Sequence, residues 1–105
     1  MNTIDRKKHS AEFKARAQKE FGLRLAELRR KHGWSQETLA NESGVARSYL
    51  GSVERGHRNI SLENICKLAD ALEVLPPDLL IPPVGDLVKT KRSYMKRSDK
   101  PAPKA

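Results

Sequence analysis

The sequence predicts an all-α fold of five helices flanked by polar, basic ends. Three observations predict it. Apolar residues recur at helical spacing, serine and glycine stand where helices would start and stop, and no segment alternates as a strand would. The chain has 105 residues, enough for one domain. Residues 20–83 hold the patterned part. Residues 1–19 are expected to form a basic lead, partly helical or disordered, and residues 84–105 a basic, disordered tail.

Each element has its own signal. Residues 1–10 are polar and read as loose, while AEFKARAQKE (residues 11–20) are good helix formers that make a short helix or lengthen the next one. In the first clear helix Phe21, Leu25 and Leu28 fall on one face, Gly22 weakens the start, and Gly33 follows Lys31 and His32 as a stop. Ser35 is placed to cap a second helix, SQETLANES, with Glu37 in its first turn and Leu39 and Ala40 facing inward. Gly44 closes a short turn before a third helix, Ala46 to Arg55, ended by Gly56. Ser61 caps a fourth, with Leu62, Ile65, Leu68, Ala69 and Leu72 as its apolar stripe. Proline is tolerated in a first helical turn, so Pro76 and Pro77 open a short fifth helix that offers Leu79, Leu80 and Ile81.

Charge narrows the partners. The net charge is +8, but residues 20–84 carry −1, and the excess sits in residues 1–19 (+4) and 85–105 (+5). The basic ends attract polyanions, whereas specific binding must come from how the few arginines of the body are placed. No apolar run is long enough to cross a membrane, and no apolar stretch follows the basic start as a secretory signal requires. A single cysteine, Cys66, forms no intramolecular disulfide and fits a reducing cytoplasm; on its helix it is expected to be buried. His9, His32 and His57 lack metal-ligand spacing, so neither metal nor cofactor is expected. With no nucleophile–base arrangement, phosphate-binding glycine loop or framed carboxylate pair, the chain is not expected to be an enzyme.

Two helices joined by a few residues around Gly44 make a helix-turn-helix, in which one helix braces on a nucleic-acid backbone and the second enters the major groove. At about 100° per residue, Arg47, Ser48, Gly51, Ser52 and Arg55 share one polar arc, while Ala46, Tyr49, Leu50 and Val53 occupy the other side. Arg47 suits a bidentate contact to guanine O6 and N7, and Ser48 and Ser52 can meet several base edges. Gly51, costly within a helix, allows close approach of a partner and joins the base-contacting set. Gln36 and Ser35, at the start of the second helix, are assigned to phosphate, as are Arg55, Arg58 and Asn59 beside the groove. Tyr49 and Trp34 read as packing residues.

The stretch LRRKHGWSQETLANESGVARSYLGSVERGHRNISLENICKLADALEV resembles the Cro/CI-type, or XRE, helix-turn-helix family, with RSYLGSVERGHRNISLENI closest in flavour to restriction–modification controllers. The resemblance implies a five-helix, lambda-repressor-like domain that binds duplex DNA as a transcriptional regulator, with the position of Gln36 gripping phosphate and those of Arg47, Ser48 and Ser52 reading bases. It also implies a structural ion pair between Arg29 and Glu54. Ala46 departs from the pattern, since alanine cannot supply the side-chain cap that serine, threonine or aspartate gives at that position.

These readings predict a homodimer on a palindromic operator with half-sites about one helical turn apart. Leu75, Leu79, Leu80 and Ile81 are the expected dimer interface, with Val74, Leu87 and Val88 flanking it, because so many apolar residues on a short segment do not suit a solvent face. The alternative is an antitoxin-type or other interaction module whose main partner is a protein, such as a toxin or RNA polymerase.

Overall fold

A computed structural model describes residues 3–84. Its elements are α1 (Thr3–Lys31), α2 (Gln36–Ser43), α3 (Arg47–Glu54), α4 (Leu62–Leu72) and a 3-10 turn (Pro76–Leu79), with no strand among the described residues. The fifth helix expected from Pro76 is therefore the 3-10 turn. Leu87 and Val88 lie outside the described residues.

Of the two expectations for residues 11–20, the second holds, since they lengthen the first clear helix into α1. It is continuous for 29 residues, about 43 Å at the helical rise. The loose start expected for residues 1–10 is helical from Thr3. Residues 5–17 are exposed along the whole of that half, so helix-forming residues rather than burial account for it. The second half packs on α3, and Gly22 makes that possible. A Cβ there would run into the carbonyl oxygens of Val53 and Glu54.

Serine and glycine punctuate the next three elements. Ser35 Oγ accepts from Thr38 N at 3.0 Å, and Ser61 Oγ accepts from Asn64 N at 3.1 Å. Gly44, at φ 80°, ends α2 by donating its N–H to Ala40 O. Ala46 precedes α3 with extended backbone and no side-chain cap. Helix α4 ends on Glu73 in the left-handed region, and Val74 N then donates to Ala69 O, the bond that closes a Schellman-type end.

The core lies where α2 meets α3 and α4 and where α1 crosses α3. Leu25, Leu39, Leu50, Leu68, Leu72 and Leu79 are fully buried in it. Leu62, expected in the stripe of α4, is instead 70% exposed, and Cys66 is exposed as well. Leu62 stands about 70° from the stripe's centre at the first helical position, and Cys66 about 110° away.

Two buried charges anchor the end of the domain to α1. Arg24 Nε donates to the carbonyl of Asp78 at 2.8 Å, while its Nη1 pairs with Glu27 at 2.9 Å. The Asp78 carboxylate turns back to accept from Leu75 N at 2.8 Å, which caps the 3-10 turn. Glu27 Oε1 also accepts from Val84 N.

Candidate nucleic-acid interface

Helix α3 is eight residues long, too short to hold its shape alone in water. Three supports fix it. Leu50 and Val53 are buried beneath it, Gly22 lets α1 lie against its last carbonyls, and Glu54 anchors its end. The Glu54 carboxylate accepts from Arg29 Nε at 2.7 Å, Arg29 Nη2 at 2.9 Å and Gln36 Nε2 at 2.8 Å. Arg29 Nη1 also donates to the carbonyl of Trp34 at 2.9 Å. One carboxylate thus joins α1, α2 and α3. The Arg29 guanidinium is held above its ordinary range, chiefly by the hydrogen bond to Glu54 and further by its charge, with burial opposing.

On the outer side of α3, Arg47 and Ser48 are exposed at the first turn. Ser52 is half-buried, and its hydroxyl accepts from Arg55 Nη2 at 3.3 Å. Gly51 is buried rather than open. A Cβ there would meet Arg55 Nη1 at 3.4 Å and Gln36 Oε1 at 3.6 Å, so these two side chains cover it. Gly51, expected among the base contacts, thus lies beneath Arg55 and Gln36 in the free protein.

The expected phosphate contacts are spread around this face. Ser35 is exposed, with its hydroxyl engaged by Thr38, and Gln36 holds Glu54 through its amide. That amide nitrogen carries a second N–H, and the first-turn backbone N–H groups of α2 lie beside it. Arg55, Arg58 and Asn59 are exposed past the end of α3, with Arg58 stacked 5.2 Å over the ring of Tyr49. Tyr49 and Trp34 are half-buried against the core.

The expected dimer residues separate into two sets. Leu79 is fully buried within its own chain because the 3-10 turn points it into the core against α4, and Val74, which follows the end of α4, is nearly as buried. Leu79 is therefore removed from the expected interface. Leu80 is 62% exposed, while Leu75 and Ile81 are half-buried.

Sequence reasoning missed a groove of about 420 Å³ between the first half of α1 and the segment after α3. Phe13, Ala17 and Phe21 line one side and Ile60, Ile65 and Leu80 the other, with Lys14, Arg16, Arg58 and Asn59 among the polar lining. The available signal was the i, i+4, i+8 spacing of Phe13, Ala17 and Phe21, which continues the helical stripe upstream. Among the described residues no group of histidine, cysteine, aspartate or glutamate could hold a metal ion, and no helix is long and apolar enough to cross a membrane.

Comparison with known proteins agrees with this geometry. The helix-turn-helix family model HTH_3 matches residues 25–80. The chain is 48% identical over 61 residues to control protein C.BamHI of Bacillus amyloliquefaciens, covering 57% of this chain and 75% of that protein. It is 46% identical over 63 residues to a hypothetical transcription factor of Neisseria meningitidis serogroup B, covering 60% of this chain but 58% of the relative's length. Among solved structures, the restriction–modification controller protein C.AhdI of Aeromonas hydrophila superposes with a TM-score of 0.57 at 61% identity, covering 58% of this chain and 92% of that one. The matched segment contains the tight α2–α3 turn and the Arg29, Gln36 and Glu54 junction that anchors α3, and the chain belongs to the Cro/CI-type (XRE) helix-turn-helix family.

Proposed function

We propose that this chain regulates transcription by binding duplex DNA in a sequence-specific way, with α3 in the major groove. The observation that carries the reading is the three-helix junction at Glu54. It presents an exposed Arg47 and Ser48 from a helix whose orientation is fixed before any partner arrives. Such preorganisation is what bidentate base contacts need.

In this reading Arg47 contacts a guanine, and Ser48 and Ser52 meet neighbouring base edges. Gln36 keeps one N–H on Glu54 and gives the other to a phosphate, next to Ser35 and the first N–H groups of α2. Arg55 swings off Gly51 and Ser52 onto the backbone, with Arg58 and Asn59 beside it. Two copies, joined through Leu80 with Leu75 and Ile81, place their α3 helices about one helical turn apart on a palindromic site. The activity is binding rather than catalysis, exercised in the cytoplasm.

Selection of bound sequences from a random duplex pool at about 0.15 M salt tests this, because salt near that level suppresses unspecific attraction by the basic ends. A two-fold symmetric motif with that spacing is expected. Enrichment of no motif overturns the reading.

A further inference from the structure

The first half of α1 is the part of the described chain with the most cations and the least packing. Arg6, Lys7, Lys8, Lys14, Arg16 and Lys19 are all exposed there. Its position is set by Gly56, whose Cβ, if it had one, would lie 2.9 Å from Lys19 Cα. The helix therefore leaves the body immediately beside the C-terminal end of α3. From there Lys14 and Arg16 line one groove with Arg58 and Asn59, which follow α3 in the chain.

Two separate elements thus bring three cations to one groove, with Glu20 its one acidic lining residue. Gathering like charges costs free energy in the isolated protein, and a polyanion relieves that cost. A solvated charged helix would need no such convergence with the loop that borders the recognition helix.

We propose that Lys14 and Arg16 on the exposed half of α1 form a second, sequence-independent contact with the phosphate backbone, continuous with Arg58 and outside the base-reading surface. The inference rests on the DNA-binding reading above. It assigns the extension of α1 to affinity and leaves sequence choice to α3.

The test is a salt titration of the full chain on a fluorescent duplex carrying the selected motif, between about 50 and 200 mM salt. Each phosphate contact contributes about 0.9 to the slope of log affinity against log salt. Lys14→Gln combined with Arg16→Gln should therefore lower the slope by about 1.8 and weaken binding about 30-fold at about 0.15 M salt. The selected motif should not change. Lys14→Arg with Arg16→Lys keeps both charges and should restore the slope, and glutamine retains good helix propensity.

An unchanged slope overturns the proposal, even if affinity falls. So does a change in sedimenting mass in the glutamine variant, which would give the groove to a second copy of the chain. If selection returns no motif, the reading of α3 fails. The same comparison of slopes on a random-sequence duplex then still decides whether the extension contacts phosphate, and no binding to any duplex overturns both.

Discussion

Removing Glu54 should damage the fold as well as the interface, and a double-mutant cycle with Arg29 separates the two effects. The Arg29 and Glu54 side chains retain only 12% and 7% of their surface, so the pair is closer to a buried than to a surface bridge. Truncating one partner of such a pair leaves an uncompensated charge and costs about 3–5 kcal/mol. Arg29 keeps its bond to the Trp34 carbonyl and some solvent, which places Glu54→Ala near the lower figure, about 3 kcal/mol. In a small domain that corresponds to a fall in Tm of roughly 12–24 °C. Arg29→Ala should cost a similar amount, because Glu54 then keeps only Gln36. The double variant should cost clearly less than the sum, with a coupling of about 2 kcal/mol. Urea unfolding followed by circular dichroism at constant m-value measures all three. A coupling below about 0.5 kcal/mol, the level of an exposed pair, would refute the claim that this carboxylate organises the three helices.

Arg47→Ala should weaken binding to the selected motif by about 1–3 kcal/mol and relax preference at one base position. Equal losses on cognate and scrambled duplexes in an anisotropy assay would remove Arg47 from base reading. Gly51→Ala should raise stability by up to about 1 kcal/mol in urea unfolding, since Gly51 is helical and the new Cβ would make only ordinary contacts. A parallel loss of DNA affinity would show that the duplex, and not the protein, needs the glycine, whereas lowered stability would show that Arg55 and Gln36 cannot yield. Leu79→Ala should cost about 2–5 kcal/mol of folding stability. Leu80→Glu should leave unfolding nearly unchanged and shift sedimentation toward the single chain; the reverse pattern would exchange their roles.

The middle of the fold was legible because its punctuation is local. Ser35, Gly44 and Ser61 act within their own turns, so residue type and position suffice to place α2, α3 and α4. The start of α1 was less legible because the periodicity test detects burial, and residues 5–17 bury almost nothing. The last segment failed for a different reason. Four residues with two prolines carry too little pattern to tell a helix from a 3-10 turn, and Asp78, which caps that turn, acts together with a buried arginine 54 positions earlier. Leu79 looked like an interface residue because its neighbours are apolar too; only the direction of the turn distinguishes it from Leu80. Cys66 shows position overriding residue type, since the stripe of α4 already places it off the buried face. At the candidate site the polar side of α3, with Arg47, Ser48 and Arg55 exposed, was visible from angles alone. The covering of Gly51 was not, because it depends on the rotamers of Arg55 and Gln36 from two helices.

The geometry gives α1 a larger part in recognition than its distance from the reading face implies. Eight residues of α3 cannot set their own direction, and two of the supports that set it, Arg29 and the space at Gly22, belong to α1. A rotation of α1 would therefore be passed to Arg47 and Ser48 through the Glu54 junction. The same rigid helix continues for about 16 residues beyond Lys19 toward its start, a reach of about 24 Å, and carries Lys14 and Arg16 with it. If both ends of this lever meet one duplex, backbone contact by the extension fixes the angle of α1, and the angle of α1 fixes the register in which α3 meets the bases. Phosphate contacts would then raise affinity on every duplex by holding α1 in one orientation, and the choice of bases would stay with α3.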